Sequence, residues 1–203
     1  MTMKKYLITI KPESALGTEM KGDTLFGQLC WAIANNYGEE KLTKCLEGYT
    51  KDKPFLVVSD AFPAGYLPLP SIPSAYYKTE KDTNPSERKE MKKRQWLKKG
   101  DFSQPLTEWL TIGQKQPFEK KSKTQAHNTI NRLTGTTGTG EFAPFVQPQI
   151  WLEAEAELDI YMVLDESLLS FDDLKQALQD IGDFGFGRDA SIGLGKFTIS
   201  KTA

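Results

Sequence analysis

Pro63, Pro68, Pro70 and Pro73 fall within one aromatic stretch, AFPAGYLPLPSIPSAYY at residues 61–77. Proline has no amide hydrogen and a fixed φ, so this stretch cannot form a long helix or a central strand and reads as an ordered surface loop. The regular structure must lie on either side of it. Before it, residues 4–10 (KKYLITI) alternate Tyr6, Ile8 and Ile10 with Lys5, Leu7 and Thr9, the period of a strand. Residues 23–38 (DTLFGQLCWAIANNYG) then place Leu25, Phe26, Leu29, Cys30 and Ile33 on one helical face. Asp23 is the expected N-cap and Asn36 with Gly38 the stop, and Cys30 reads as a core thiol. Residues 55–58 (FLVV) suit a short buried strand.

After the loop, residues 88–99 (RKEMKKRQWLKK) predict a basic helix, followed to about residue 148 by a polar, Gly- and Thr-rich stretch that reads as a partly mobile insertion. Regular patterning resumes at residues 150–164. There Leu152, Ala154, Ala156 and Leu158 alternate with acids, which predicts one long strand with a carboxylate face toward solvent. Ser170 with Asp173 forms a capping-box-like start, Leu174, Ala177, Leu178 and Ile181 fall at helical spacing, and Gly182 is the expected stop. Residues 196–200 (KFTIS) give a last strand. The order strand, helix, strand, insertion, strand, helix, strand predicts an α+β chain with a ferredoxin-like (RRM-like) βαββαβ arrangement. It forms one domain over residues 1–203, with the insertion at about 62–148. Such a topology licenses no activity by itself.

The formal net charge of −1 conceals a separation of sign: residues 88–132 hold twelve Lys/Arg against four Asp/Glu, whereas residues 153–183 hold ten acids and only Lys175 as a base. The first region suits a polyanion and the second a protein neighbour, although each also suits a plain solvated face. The N-terminal apolar run is too brief for a signal-peptide core, and no run approaches the length of a membrane span. Cys30 and Cys45 form no CxxC pair, which points to a reducing, cytoplasmic setting.

The segment FGFGRDASIGLGKF at residues 184–197 carries the most chemistry. Gly185, Gly187, Gly193 and Gly195 permit positive φ and close backbone approach, so successive amides can converge on an anion, with Arg188 and Lys196 supplying charge and Ser191 a hydroxyl. A glycine-rich turn is the plainer alternative. A Walker A loop requires Ser or Thr after Gly195-Lys196, but Phe197 follows; a dinucleotide fingerprint requires a βαβ unit still to come. An extended polyanion is the better ligand.

Four segments, GDTLFGQLCWAI from Gly22, SDAFPAGYLPLP from Ser59, HNTINRLTGTTG from His127 and the glycine-rich loop, together resemble the RAMP superfamily of CRISPR RNA-binding proteins. In this order they are similar to the Csm-type subunit of type III effectors that caps the 5′ end of the guide RNA. The resemblance implies a non-catalytic subunit in antiviral defence that holds the 5′ repeat-derived tag of the crRNA. It also implies two partners, the large polymerase-like subunit and the first backbone RAMP subunit. Carried over by motif, the loop from Gly185 to Lys196 tracks the tag, with His127, Asn128, Asn131 and Arg132 as base or phosphate contacts. Splayed single-stranded bases are read by stacking and polar edges, and Phe186 is a candidate either for stacking or for the core. Many members continue into a second ferredoxin-like half, which is expected to be absent from this chain.

Two alternatives stay open. His127 is the lone histidine, and a related class of precursor-processing RAMP endoribonucleases uses a histidine in metal-independent cleavage. A protein-only adaptor would instead dock through the aromatic-proline loop. No zinc-ligand spacing and no GxSxG serine is present, so neither a metal site nor a cofactor is expected.

Overall fold

The computed structural model describes residues 3–73, 76–77 and 84–203. Met1, Thr2, Ser74 and Ala75 of the segments discussed above, and residues 78–83 of the expected insertion, lie outside the described residues. The chain builds an α+β fold on a four-stranded antiparallel sheet. Its strands are β1 (Met3–Pro12), β2 (Leu56–Pro63), β7 (Leu158–Asp165) and β8 (Phe197–Thr202), in the order β2-β7-β1-β8. Helix α1 (Gly22–Tyr37), followed at once by α2 (Glu39–Leu46), connects β1 to β2, and α5 (Phe171–Phe184) connects β7 to β8.

The period-2 and period-3.6 patterns converge on one core. Ile8 and Ile10 of β1, and Leu158, Ile160, Met162 and Leu164 of β7, point from the sheet toward Leu25, Leu29 and Ile33 of α1 and Leu174, Leu178 and Ile181 of α5. Ile8 pairs with Ile160 and Leu56 with Leu164, so neighbouring strands place apolar side chains on the same face. Each such side chain contributes roughly 1.5–3 kcal/mol of transfer free energy. On the opposite face Thr9 Oγ1 donates to Asp159 Oδ1 at 2.7 Å, and Gly65 N donates to Asp159 Oδ2 at 2.9 Å. A buried carboxylate thereby pins the turn where the chain leaves the sheet.

Several elements differ from the sequence reading. The second strand is longer than residues 55–58 and crosses a register shift between Val58 and Ala61. Asp23 does not cap α1: the helix begins at Gly22, whose N–H donates to Asp60 Oδ1 at 2.7 Å. A Cβ at residue 22 would stand 2.7 Å from Val58 O, so the two motifs around Gly22 and Ser59 meet through a glycine that only a bare backbone can fill. Unanticipated α2 buries Cys45, while Cys30 is only half-buried; burial pushes the Cys30 thiol up to about 11, which leaves it protonated and unreactive. Gly182 does not stop α5, which continues to Phe184; it admits Phe197 O at a distance no Cβ would tolerate. Ser170 caps as expected, accepting from Asp173 N at 3.1 Å.

The chain between β2 and β7 departs furthest. Within the proline segment Tyr66–Pro68 is strand β3, paired with β4 (Trp96–Lys98). The basic helix α3 (Pro85–Lys92) is shorter than expected because the chain turns at Lys93 into β4, and Asn84 caps its start. A short α4 (Trp109–Ile112) follows. Strands β5 (Lys120–His127) and β6 (Phe145–Leu152) then form a two-stranded ribbon with eight paired positions, from Lys120 with Leu152 to His127 with Phe145. The expected single strand over residues 150–164 is therefore two strands in two sheets. The acids at its middle belong to a turn, where Glu155 pairs with Lys11, Glu157 with Lys201, and the Glu153 carboxylate accepts from Glu119 N. Among the described residues no helix is long and apolar enough to cross a membrane.

Candidate nucleic-acid interface

The glycine-rich loop, residues 185–196, packs inward. Gly195 has φ +76°, and a Cβ there would stand 2.1 Å from Phe186 O; Gly185 is equally tight against Leu194 O. Both glycines are buried, and Phe186 is a core residue at 0% exposure, which removes it as a stacking platform. The amides expected to converge on an anion are largely engaged within the chain: Phe186 N donates to Gly195 O, Gly195 N to Ala15 O, Leu194 N to Asp189 O, Arg188 N to Thr18 Oγ1 and Lys196 N to Ser14 Oγ. What faces outward is side chain. Arg188, Ser191 and Lys196 are exposed and Gly193, at φ +96°, borders open space.

Arg188 and Asp189 hold this loop against the ribbon. Arg188 Nη2 donates to Pro148 O at 2.9 Å, its Nε lies 3.0 Å from Asp189 Oδ2, and Gln147 Nε2 donates to Asp189 Oδ1 at 3.3 Å. Asp189 itself holds φ +65°, a left-handed conformation that aspartate tolerates better than bulkier residues. Lys196 Nζ donates to Asp183 O at 3.1 Å, in the last turn of α5, where a cation complements the helix dipole. Two lattices of contact, one to β6 and one to α5, thus fix the loop's charged rim.

The ribbon supplies a face that sequence reading missed. Cross-strand pairing puts Lys121, Lys123, Gln125 and His127 of β5 on the same side as Trp151, Gln149, Gln147 and Phe145 of β6. Lys123 Nζ sits 5.4 Å over the Trp151 ring, and the His127 and Phe145 rings stack at 5.5 Å and 17°. Phe145 and Trp151 remain exposed at 44% and 42%, each with a neighbour over one ring face, while Gln149 between them is buried at 3%. The signal was present as even spacing, Lys121 with Lys123 two apart in KKSKTQAH and Phe145 with Trp151 six apart in FVQPQIWL, concealed by low hydrophobicity and by Pro148.

The other motif residues divide. His127 ends β5 beside Phe145, its Nε2 enclosed and without a hydrogen bond to a described residue. Asn128 and Arg132 are exposed beyond the ribbon's end, and Asn131 is engaged in its own turn through Thr136 O and Leu133 N. At the ribbon's root, Lys120 pairs with Glu19, and Lys21 bridges Glu19 and Asp60. Lys120 holds the Glu19 carboxyl below the usual glutamate range, and Asp60 raises Lys21.

Fold and site together define an α+β protein whose outward ribbon joins cations to exposed aromatic rings beside a charged glycine-rich loop. The sequence matches no family model and no curated protein. Solved structures do match. A chain of the Csm1–Csm4 cassette in complex with pppApA shares 15% identity over 98% of this chain and 70% of that one, with a TM-score of 0.62. A chain of that cassette in complex with cA4 gives 16%, 98%, 71% and 0.63. A chain of the Csm3–Csm4 subcomplex of the type III-A CRISPR-Cas interference complex gives 13%, 98%, 69% and 0.61. The chain has the fold found in these Csm-type assemblies.

Proposed function

We propose that this chain is a non-catalytic RNA-binding subunit of a type III CRISPR effector, in the cytoplasm, holding the 5′ repeat-derived tag of the crRNA. It bridges the large polymerase-like subunit and the first backbone subunit. The observation that carries the reading is the agreement of fold over 98% of the chain with Csm-type neighbours, joined to a ribbon face that pairs Lys121 and Lys123 with exposed Phe145 and Trp151. Lysines neutralise phosphates along a strand, while exposed rings stack on bases of any identity. The four-stranded order β2-β7-β1-β8 with two connecting helices supports the ferredoxin-like reading, with the insertion expected at about 62–148 falling between β2 and β7. Arg188, Ser191, Gly193 and Lys196 extend the surface from the ribbon onto the glycine-rich rim, and Asn128 and Arg132 extend it past the ribbon's end. The buried Gly185 and Gly195 and the packed Gly187 shape that rim from beneath.

The test is binding and cleavage of labelled crRNA carrying the repeat tag, against an RNA of equal length with a scrambled tag, across a salt series. The expected result is tag-dependent, salt-sensitive binding, weakened by Arg188→Ala/Lys196→Ala, with no cleavage by the wild type. Metal-free cleavage abolished by His127→Ala would replace this reading with a processing nuclease, and absence of RNA affinity at low salt would leave the adaptor.

A further inference from the structure

The two outer edges of the β5–β6 ribbon differ. Glu153 N donates to Glu119 O, so in this antiparallel register the odd-numbered residues of the two strands exchange main-chain hydrogen bonds and the even-numbered residues turn theirs outward. On β6 the outward groups are engaged. Ile150 exchanges hydrogen bonds with Leu16 in both directions, Pro148 has no N–H to offer, and its carbonyl accepts from Arg188 Nη2. On β5, an end strand of its sheet, the outward N–H and C=O groups of Lys120, Ser122, Thr124 and Ala126 meet no partner among the described residues. All four residues are exposed. The β2 edge of the central sheet is guarded by contrast, since Ala61 N donates to Met20 O and Val58 O lies against Gly22. The open edge of β5 runs roughly 26 Å, the length of a whole strand.

An open edge of this length is a template for another strand unless side chains forbid it. Lys120, Lys121 and Lys123 forbid one kind of strand only. A second copy pairing β5 with β5 would gather the three lysines of each chain into one sheet, whereas a strand carrying carboxylates would meet them favourably. The back of the ribbon sets a second condition. There Ser122, Thr124 and Ala126 are small, Ala126 pairs with Val146, which is 66% exposed, and past the end of β5 Ile130 and Leu133 stand 59% and 96% exposed. Phosphates and sugars gain nothing from aliphatic side chains, but apolar residues of a protein strand bury against them.

We propose that the outer edge of β5 receives an extended segment of another protein, apolar residues alternating with acidic ones, as a third strand of the ribbon. Its apolar side lies along Ala126 and Val146, and its carboxylates lie beside Lys121 and Lys123. The proposal goes beyond RNA binding and does not depend on it, because the added strand is held by main-chain groups that the ribbon face does not use.

The experiment uses the full, isotope-labelled chain and a fluorescein-labelled peptide alternating valine with glutamate. Anisotropy reads the affinity and amide exchange by NMR reads the contact. The expected result is saturable binding with new protection at Ser122, Thr124 and Ala126. Binding to Thr124→Pro should be about tenfold weaker, since this change removes one outward N–H and leaves the ladder to β6 intact. A peptide N-methylated on the residues that face β5 should lose the same affinity for the wild type, a result that no misfolding of a variant can imitate. Lysine in place of glutamate in the peptide should also weaken binding about tenfold. An N-methylated peptide that binds as well as its parent, or no binding at millimolar peptide, would overturn the edge assignment. Self-association in sedimentation that Thr124→Pro abolishes would give the edge to a second copy, and protection of the same amides by oligouridylate would give it to RNA. Either outcome overturns the acidic strand.

Discussion

The glycine-rich loop and the β5–β6 ribbon lie side by side, joined through Arg188 and Asp189, yet they use their sequences in opposite ways. The loop has the composition of a ligand cradle, and its glycines serve close packing: Gly195 against Phe186, Gly187 against Thr18, Gly185 against the Leu194 carbonyl. The ribbon has the composition of an unstructured linker, and it presents the ordered, outward face. Backbone permissiveness and surface availability are therefore separate properties. A glycine allows a neighbour to approach, and in this chain the neighbour is mostly the chain itself.

The difference is sharpest in a substitution that strikes the packed side. Phe186→Ala empties a fully buried site and should cost about 3–5 kcal/mol in urea denaturation; a cost under 1 kcal/mol would mean that the loop is not seated on the core. Gly195→Ala should cost roughly 3 kcal/mol, since a Cβ cannot coexist with Phe186 O and the positive φ adds strain. Gly193→Ala, with equally positive φ but open space, should cost only about 1 kcal/mol. Equal effects at the two positions would erase the distinction between packing and exposed glycines.

On the ribbon the expectation inverts. Lys121→Ala/Lys123→Ala should leave the midpoint of denaturation within about 0.5 kcal/mol of wild type and reduce the slope of log affinity against log salt by about 2. A large stability loss with unchanged RNA affinity would make the ribbon a structural element and the loop the true interface.

The smallest effect concerns the joint at the ribbon's root. The Glu19 carboxyl, held low by Lys120, contributes stability that is present above the ordinary glutamate pKa and is lost as pH falls through the lowered folded value. Glu19→Gln should remove that contribution, a few tenths to about 1 kcal/mol for a half-exposed pair. The protection of β5 amides, normalised for intrinsic exchange at each pH, should fall on acidification in wild type and become less pH-dependent in the variant. An unchanged pH dependence would detach Glu19 from ribbon docking.

The core elements were legible because each signal was local. Alternation at Tyr6, Ile8 and Ile10, helical spacing at Leu25, Leu29 and Ile33, and the Ser170 cap with its Leu174 face all appear where expected. The boundary errors share one cause, which is that a distant partner replaced a local one. Asp60 accepts from Gly22 N at the start of α1, where Asp23 was the expected cap, and Phe197 packs onto Gly182 where a helix stop was read. The alternation across residues 150–158 spans two sheets, which a single-strand pattern cannot distinguish.

Of the candidate site, the sequence named Arg188, Ser191, Lys196, Asn128 and Arg132, all of which are exposed, and it named Gly185 and Gly195, which are not. It passed over Lys121, Lys123, Phe145 and Trp151. Side-chain periodicity and charge are written in the chain and determined the sheet, the two helices behind it and the basic character of the segment between β2 and β7. Which face each residue shows to solvent depends on contacts between segments more than a hundred residues apart, such as Leu16 with Ile150 and Arg188 with Thr18. Only the tertiary structure decided that the glycines turn inward and the lysines outward, because burial is a property of the assembled chain and not of any one segment.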